Sequence, residues 1–416
     1  MVCCCCADDP IEPPEYHRWP ENTPAPPPPQ TVGIDDFELL KVLGRGSYGK
    51  VMQVRRRGDN KIYAMKAMQK SDVASRNQVR HALTERKLLA CIRGHPFIVP
   101  LEFAFQSESH LYLVLALQSG GELFFHLRRD GAFTETRARL YAAEILLALE
   151  AIHTAGFVYR DLKPENVLLD GEGHVRLSDF GLAKEAKGDD SLETLSTKTF
   201  CGTPSYMAPE VLLGTGHGVP VDWWSLGTLI FEMLSGCPPF YSRNLHAMYK
   251  AILTAELRLG PHITKPARAL LKGLLTRDPI RRLGSKGSSS VRRSAFFRPL
   301  DFKLVSSRGY TPSFVPTLIG SSPSMQALDV SNFDENFTME DPHSNEQPSP
   351  QPRQQQAAAA PAGELPAAAA ASVAANAGAS SRAPAAPPVD FEAKFANWSY
   401  SAEKLEAAAV RRRAVW

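Results

Sequence analysis

From Phe37 onward, apolar and polar residues alternate in short runs. ELLKVLG, YGKVMQVRR and KIYAMKAM are rich in β-branched and aromatic residues, which predicts antiparallel strands. HLYLVLAL reads as a further buried strand, and between Gln78 and Cys91 the spacing becomes helical. Beyond Gly121 helices dominate, most clearly in LYAAEILLALEAIHTAG and VDWWSLGTLIFEMLSG. The pattern predicts an α+β architecture: a small antiparallel β-rich lobe, then a larger helical lobe, with a cleft between them.

Composition divides the 416 residues further. Residues 1–36, rich in Pro and Cys, read as a disordered arm, and 37–297 as the globular unit (lobes at about 37–115 and 119–297). Residues 298–341 form a polar tail with spaced aromatics, 342–389 a disordered Pro/Gln/Ala linker, and 390–416 a segment where FEAKFANWSY restores order. With 47 Lys+Arg against 44 Asp+Glu, the charge is too balanced for a basic nucleic-acid binder. No apolar run reaches the ~18 residues of a spanning helix. Four of the seven Cys are the adjacent Cys3 to Cys6, which cannot staple a fold. Cys91, Cys201 and Cys237 read as reduced thiols of a cytoplasmic protein. MVCCCCADDP lacks the features of a secretory signal.

Chemistry concentrates in a few segments. Gly44, Gly46 and Gly49 in GRGSYGKV let a hairpin lie close over phosphates. Strands on both sides exclude the dinucleotide version, which needs a following helix. Lys66 ends the strand YAMK, and a helix carrying Glu85 follows; a Lys fixed by a carboxylate would hold the α- and β-phosphates of ATP. YRDLKPENVLL is the strongest signal. Asp161 would orient a hydroxyl nucleophile and accept its proton, Lys163 would neutralise transferred charge, and Asn166 would ligate Mg²⁺. Asp179 in SDFG adds a second Mg²⁺ oxygen ligand, and APE closes the segment at Glu210.

These elements, in this order, resemble the eukaryotic protein kinases across roughly residues 37–297. YRDLKPEN with Tyr159, FCGTPSYMAPE, VDWWSLG, FDENFT and FANWSY resemble most closely the AGC serine/threonine group, in its protein kinase B, serum/glucocorticoid-regulated and ribosomal protein kinase branch. The resemblance implies a bilobal kinase domain with an AGC tail at 298–341. It makes Asp161 the catalytic base, Lys163 its helper, Asn166 and Asp179 the metal ligands, and Lys66–Glu85 the ATP-positioning ion pair. ATP would lie under the loop Leu43, Gly44, Arg45, Gly46, Ser47, Tyr48, Gly49, Lys50 and Val51, against Ala64, with Leu115 as gatekeeper, hinge residues Ala116 and Leu117, and Glu122 beyond them. Ala116 stands where relatives usually carry Glu.

The same resemblance makes Thr199 an activation-segment phosphosite facing His81, Arg160 and Lys184. Thr203 would contact Asp161 and Lys163, suiting Ser/Thr acceptors, and Glu210 would pair with Arg282. Glu122, Glu165 and Glu232 would receive substrate Arg side chains upstream of the acceptor, as clustered carboxylates favour guanidinium. Ser205 replaces a further acidic position. Ser399 would be the phosphosite of a hydrophobic motif in which Phe395, Trp398 and Tyr400 grip the small lobe near Arg86; Phe333 and Phe337 would lie by the ATP pocket, and Ser344 or Ser349 could serve as a turn phosphosite. Expected partners are protein substrates and an upstream activating kinase, with a monomeric state and no nucleic acid. Cys3–Cys6 is a candidate palmitoylation cluster for membrane attachment; Val2 excludes myristoylation. The competing reading is a catalytically weak kinase-fold scaffold, which would normally lack a Lys, base or metal ligand; a small-molecule phosphotransferase would not need the segment from Lys184 to Glu210.

Overall fold

The computed structural model describes residues 32–46, 49–76, 78–186, 197, 199–344, 395 and 398–402. Cys3–Cys6, Ser47, Tyr48, Ser349 and most of the expected linker lie outside the described residues. Strands β1 (Phe37–Gly46) and β2 (Gly49–Arg56) form a hairpin closed by the Gly46–Gly49 pair. Only glycine fits at position 49, where a Cβ would lie 1.8 Å from the Ala67 carbonyl oxygen. Strands β3 (Ile62–Gln69), β4 (Leu101–Gln106) and β5 (His110–Ala116) complete an antiparallel sheet in the order β1-β2-β3-β5-β4. Between β3 and β4 lie helices α1 (Lys70–Ser75) and α2 (Val79–Cys91).

Alternation gives this sheet two buried faces. Phe37, Tyr63, Phe103 and Phe105 pack ring on ring on one, with the Arg56 guanidinium 4.6 Å from the Phe103 ring centre. Val32 and Ile34 pack against this cluster, so the ordered lobe begins before Phe37: residues 34–36, expected within the arm, form a short 3₁₀ turn. The other face meets α2 and joins the main core. Strand β4 and helix α1 were not anticipated; EFAFQ is too short a run to be separated from a loop by period alone.

The helical lobe contains α3 (Leu123–Asp130), α4 (Glu135–Thr154), α5 (Pro209–Leu213), α6 (Pro220–Ser235), α7 (Leu245–Thr254) and α8 (Lys265–Leu274). Side chains of Thr134, Asn244 and Thr264 cap α4, α7 and α8, which explains where those helices start. Helix α6 is apolar on nearly every face because it runs through the core, starting at Pro220 and stopping at left-handed Gly236. Gly227 permits its approach to α8, where a Cβ would meet the Leu274 Cβ at 2.8 Å. Short strands β6 (Phe157–Val158), β7 (Val167–Leu169), β8 (Val175–Leu177) and β9 (Lys184–Glu185) frame the cleft floor. The two-residue strand β10 (Tyr400–Ser401) adds to the small-lobe sheet beside β4.

Candidate active site

The sheet register gathers the residues expected around ATP. Val51 pairs with Lys66 across β2 and β3, and Ala64 pairs with Leu115 across β3 and β5, so these side chains sit on one stretch of sheet beneath the glycine hairpin. Lys66 reaches across to α2: its Nζ donates to both Glu85 oxygens at 2.8 and 3.0 Å and to Asp179 Oδ1 at 2.9 Å. Lys66 and Glu85 are 5% and 2% exposed, while the Asp179 side chain is partly open to solvent. Burial alone would lower the Lys66 ammonium, but Asp179 and Glu85 outweigh it and hold the group charged. Burial pushes Glu85 upward against the pull of Lys66. Asp179 is also penalised by burial, yet Lys66 keeps its carboxyl below the usual range.

The catalytic loop is held by backbone anchoring. Fully buried Asp222 on α6 accepts the Tyr159 N–H at 2.9 Å and the Arg160 N–H at 2.8 Å. Arg160 and Asp179 both carry positive φ (69° and 49°), uncommon for non-glycine residues and typical of sites that the surroundings over-determine. Tyr159 donates to the Ser178 carbonyl at 2.6 Å and packs against Phe180, whose burial keeps Asp179 facing the cleft. On this loop, Asp161 Oδ2 accepts from Lys163 Nζ at 2.8 Å and from Asn166 Nδ2 at 2.9 Å. Thr203 Oγ1 lies 3.5 Å from Asp161 Oδ1, and Asp161 in turn holds Lys163. Burial raises the Asp161 carboxyl, with Lys163 the main opposing charge.

The donor set suits Mg²⁺. Asn166 commits its amide nitrogen to Asp161, leaving Oδ1 for a ligand, and Asp179 adds a carboxylate: hard oxygens that phosphate oxygens and water would complete. No group of three or more His, Cys, Asp or Glu among the described residues would hold an ion unaided.

Other expected residues divide. Arg45 and Lys50, read as ATP-loop residues, reach toward the tail: Arg45 forks onto Glu340 (2.6 and 3.0 Å), and Lys50 donates to the Ser344 carbonyl at 2.8 Å. Residues 342–344, expected in the linker, thus rest on the hairpin. At the hinge, the Ala116 carbonyl accepts from the Gln118 side chain at 2.9 Å, a residue that sequence reasoning missed. The turn Glu335–Thr338 lies against β1; Phe333 and Phe337 are half-buried there. Glu210 and Arg282 form a buried bidentate pair at 2.6 and 2.8 Å.

Glu232, expected in a peptide groove, accepts from the Tyr206 hydroxyl; burial, with the Glu165 charge adding to it, pushes its carboxyl up to about 7. Glu122 stands at the start of α3, bridged to Leu168. Asp222, in VDWWSLG, is expected in a structural role, and its bonds to the Tyr159 and Arg160 N–H groups fit that; which atoms Asp222 and Tyr206 meet is set by partners distant in the chain.

The activation segment is described at Thr197 and from Thr199 onward. Lys184 Nζ donates to Thr197 Oγ1 at 3.2 Å, which lies 3.1 Å from Thr199 Oγ1. Arg160 Nε donates to the Leu182 carbonyl at 2.8 Å. Burial, then the charges of Arg160, Arg80 and Lys184, push the His81 imidazole down. Phe395 and Trp398 are fully buried in the small lobe, and the Trp398 indole donates to the Tyr112 carbonyl at 3.2 Å. Arg86 meets the tail through the carbonyls of Trp398 and Ser399 at 3.0 and 3.1 Å, while Ser399 itself is exposed.

The protein kinase domain model matches residues 37–297. The chain is 50% identical over 313 residues to Protein kinase 2 of Dictyostelium discoideum, covering 75% of this chain and 63% of that protein. It is 51% identical over 311 residues to Serine/threonine-protein kinase YPK1 of Saccharomyces cerevisiae (75% and 44% covered). With Serine/threonine-protein kinase Sgk1-A of Xenopus laevis it shares 44% over 330 residues (77% and 74% covered). The chain spans about half the length of several curated relatives that it matches. Among the described residues no helix is long and apolar enough to cross a membrane. The chain belongs to the protein kinase family, among its AGC-type serine/threonine members.

Proposed function

We propose that this chain is a serine/threonine protein kinase that transfers the γ-phosphoryl group of ATP to Ser or Thr in Arg-rich protein sites. The observation that carries the reading is the buried Lys66 ammonium, held at 2.8 to 3.0 Å between Glu85 and Asp179 and facing the Asp161 loop. Lys66 positions the α- and β-phosphates. Asp161 orients the acceptor hydroxyl and takes its proton, and burial, by raising its carboxyl above the ordinary range, makes it a stronger base. Lys163 offsets charge growing on the transferred group. Mg²⁺, held by Asn166 and Asp179 with the nucleotide, would neutralise the phosphate oxygens. A scaffold would normally lack one of these residues, and Lys66, Asp161, Asn166 and Asp179 are all present in the sequence, which favours the catalytic reading.

Glu122, Glu165 and Glu232 line the groove that would receive substrate Arg, and the partly desolvated Glu232 favours a guanidinium over a hydrated ammonium. Phosphorylation of Thr199 by an upstream kinase would order the activation segment through His81, Arg160 and Lys184. The docked Phe395 and Trp398, with phosphate on Ser399, would hold α2 inward. Cys3–Cys6 would be palmitoylated and bring an otherwise cytoplasmic monomer to a membrane, several acyl chains sufficing for stable anchoring. A peptide series tests the core of the reading: Ser in an Arg-rich context should be phosphorylated well, its Lys-for-Arg version poorly, and Tyr in the same context not at all. Equal rates on all three would overturn the specificity claim.

A further inference from the structure

A segment that no motif covers brings His217 to the activation segment. Thr197 and His217 pair across an isolated antiparallel bridge, each donating its N–H to the other's carbonyl at 3.0 Å. Residues directly opposed in such a pair send their side chains to the same face. Thr197 is buried on that face, where its hydroxyl accepts from Lys184 and neighbours Thr199. His217 is 5% exposed, and its Nε2 has no hydrogen-bond partner among the described residues. The same holds for Arg160 Nη1 and His81 Nδ1. Buried nitrogens without partners are costly, and an anion within reach of these three would supply the acceptor that each lacks.

We infer that His217 is a fourth ligand of this pocket, beside His81, Arg160 and Lys184, and that it binds the phosphate of phosphorylated Thr199 as an imidazolium. This rests on Thr199 being the regulatory phosphosite. Activation then takes up one proton from solvent, which ends on the His217 ring. Without phosphate the ring is neutral: burial first, then Arg160 and Lys184, hold it down at about 4, with Asp222 alone pulling the other way. Arg160 and Asp161 of the catalytic loop, Lys184 of β9, Cys201 of the activation segment and Asp222 of α6 face the ring, and His81 of α2 stands beyond Arg160. A phosphate brings a charge of about −1.5 to −2 into this positive setting and reverses the balance for protonation.

The full-length chain with genetically encoded phosphothreonine at position 199 provides the test, read against its unphosphorylated form. The ratio of their kcat values should fall as pH rises from about 6.8 to 8.2, where the phosphate itself stays largely dianionic. His217→Gln should lower that ratio about tenfold at the acidic end, the size of one lost charge-assisted contact, and abolish its pH dependence. His217→Lys, a charge insensitive to this range, should restore the ratio at all pH values. Independently of any variant, the His217 ring in the phosphorylated wild type should titrate by NMR above about 6.5, the unperturbed value. A His217 ring that stays neutral throughout, or a Gln variant with the wild-type ratio and profile, overturns the inference alone. A phosphorylated wild type no more active than its unphosphorylated form overturns the phosphosite reading, and the inference with it.

Discussion

Two residues, Asp161 and Glu232, show how burial sets the site's electrostatics, and each responds differently to change. Asp161 is tuned upward by burial and steadied by Lys163 and Asn166. Asp161→Asn should lower kcat by about 10²–10⁴ while the KM for ATP stays near wild type, as removal of a general base does. Glu232 makes a pH prediction. Its carboxyl, pushed up to about 7, is charged above that pH and neutral below it, so its attraction for substrate Arg is lost as pH falls. The KM for an Arg-rich peptide should therefore rise as pH drops from 8 to about 6, and Glu232→Gln should flatten the profile. A KM independent of pH in the wild type would remove Glu232 from the guanidinium site. Most of these residues could be read from the sequence, because DLKPEN and DFG pack several functions into short segments. Tyr206, Gln118 and Asp222 could not be assigned their contacts, since each side chain acts through a partner reached only in the folded chain.

At the scale of elements, helix α2 gathers the inputs. Glu85 pairs with Lys66, His81 lies within the field of Arg160 and Lys184, Lys87 pairs with Glu185 of β9, and Arg86 holds the carbonyls of the tail. No side chain caps its N-terminus, so its position depends on these tertiary contacts rather than on its own start signal. Trp398→Ala removes a fully buried side chain and its bond to Tyr112. It should cost up to about 3–5 kcal/mol in the docked state and lower the melting temperature by several degrees, with a fall in peptide phosphorylation. Unchanged melting and activity would show that the docked tail does not support α2. Spacing in the sequence shows that α2 is a helix, and the aromatics of FANWSY point to the docking of Phe395 and Trp398. It did not reveal that Arg86 grips backbone carbonyls, nor that Arg45 and Lys50 turn to Glu340 and Ser344, since such contacts between distant segments leave no periodic trace.

At the scale of the molecule, two lobes of different periodicity meet at a cleft whose walls come from both. The small-lobe sheet was legible because β-branched alternation is strong in β1, β2, β3 and β5, and the helical lobe because α4 and α6 are long and apolar. Buried braces such as Glu210–Arg282 hold the larger lobe; Arg282→Ala would strand Glu210 without its partner and should destabilise the chain by about 3–5 kcal/mol in chemical unfolding. The central claim is that this cleft catalyses phosphoryl transfer from ATP to a protein hydroxyl. It is tested most directly by single-turnover transfer of radiolabelled γ-phosphate to an Arg-rich Ser peptide, with ATP binding measured on the same samples. The wild type should bind ATP and label the peptide, whereas Asp161→Asn should bind ATP with similar affinity and label it about 10²–10⁴ more slowly. A wild type that binds ATP with Mg²⁺ yet labels no faster than Asp161→Asn would contradict the account.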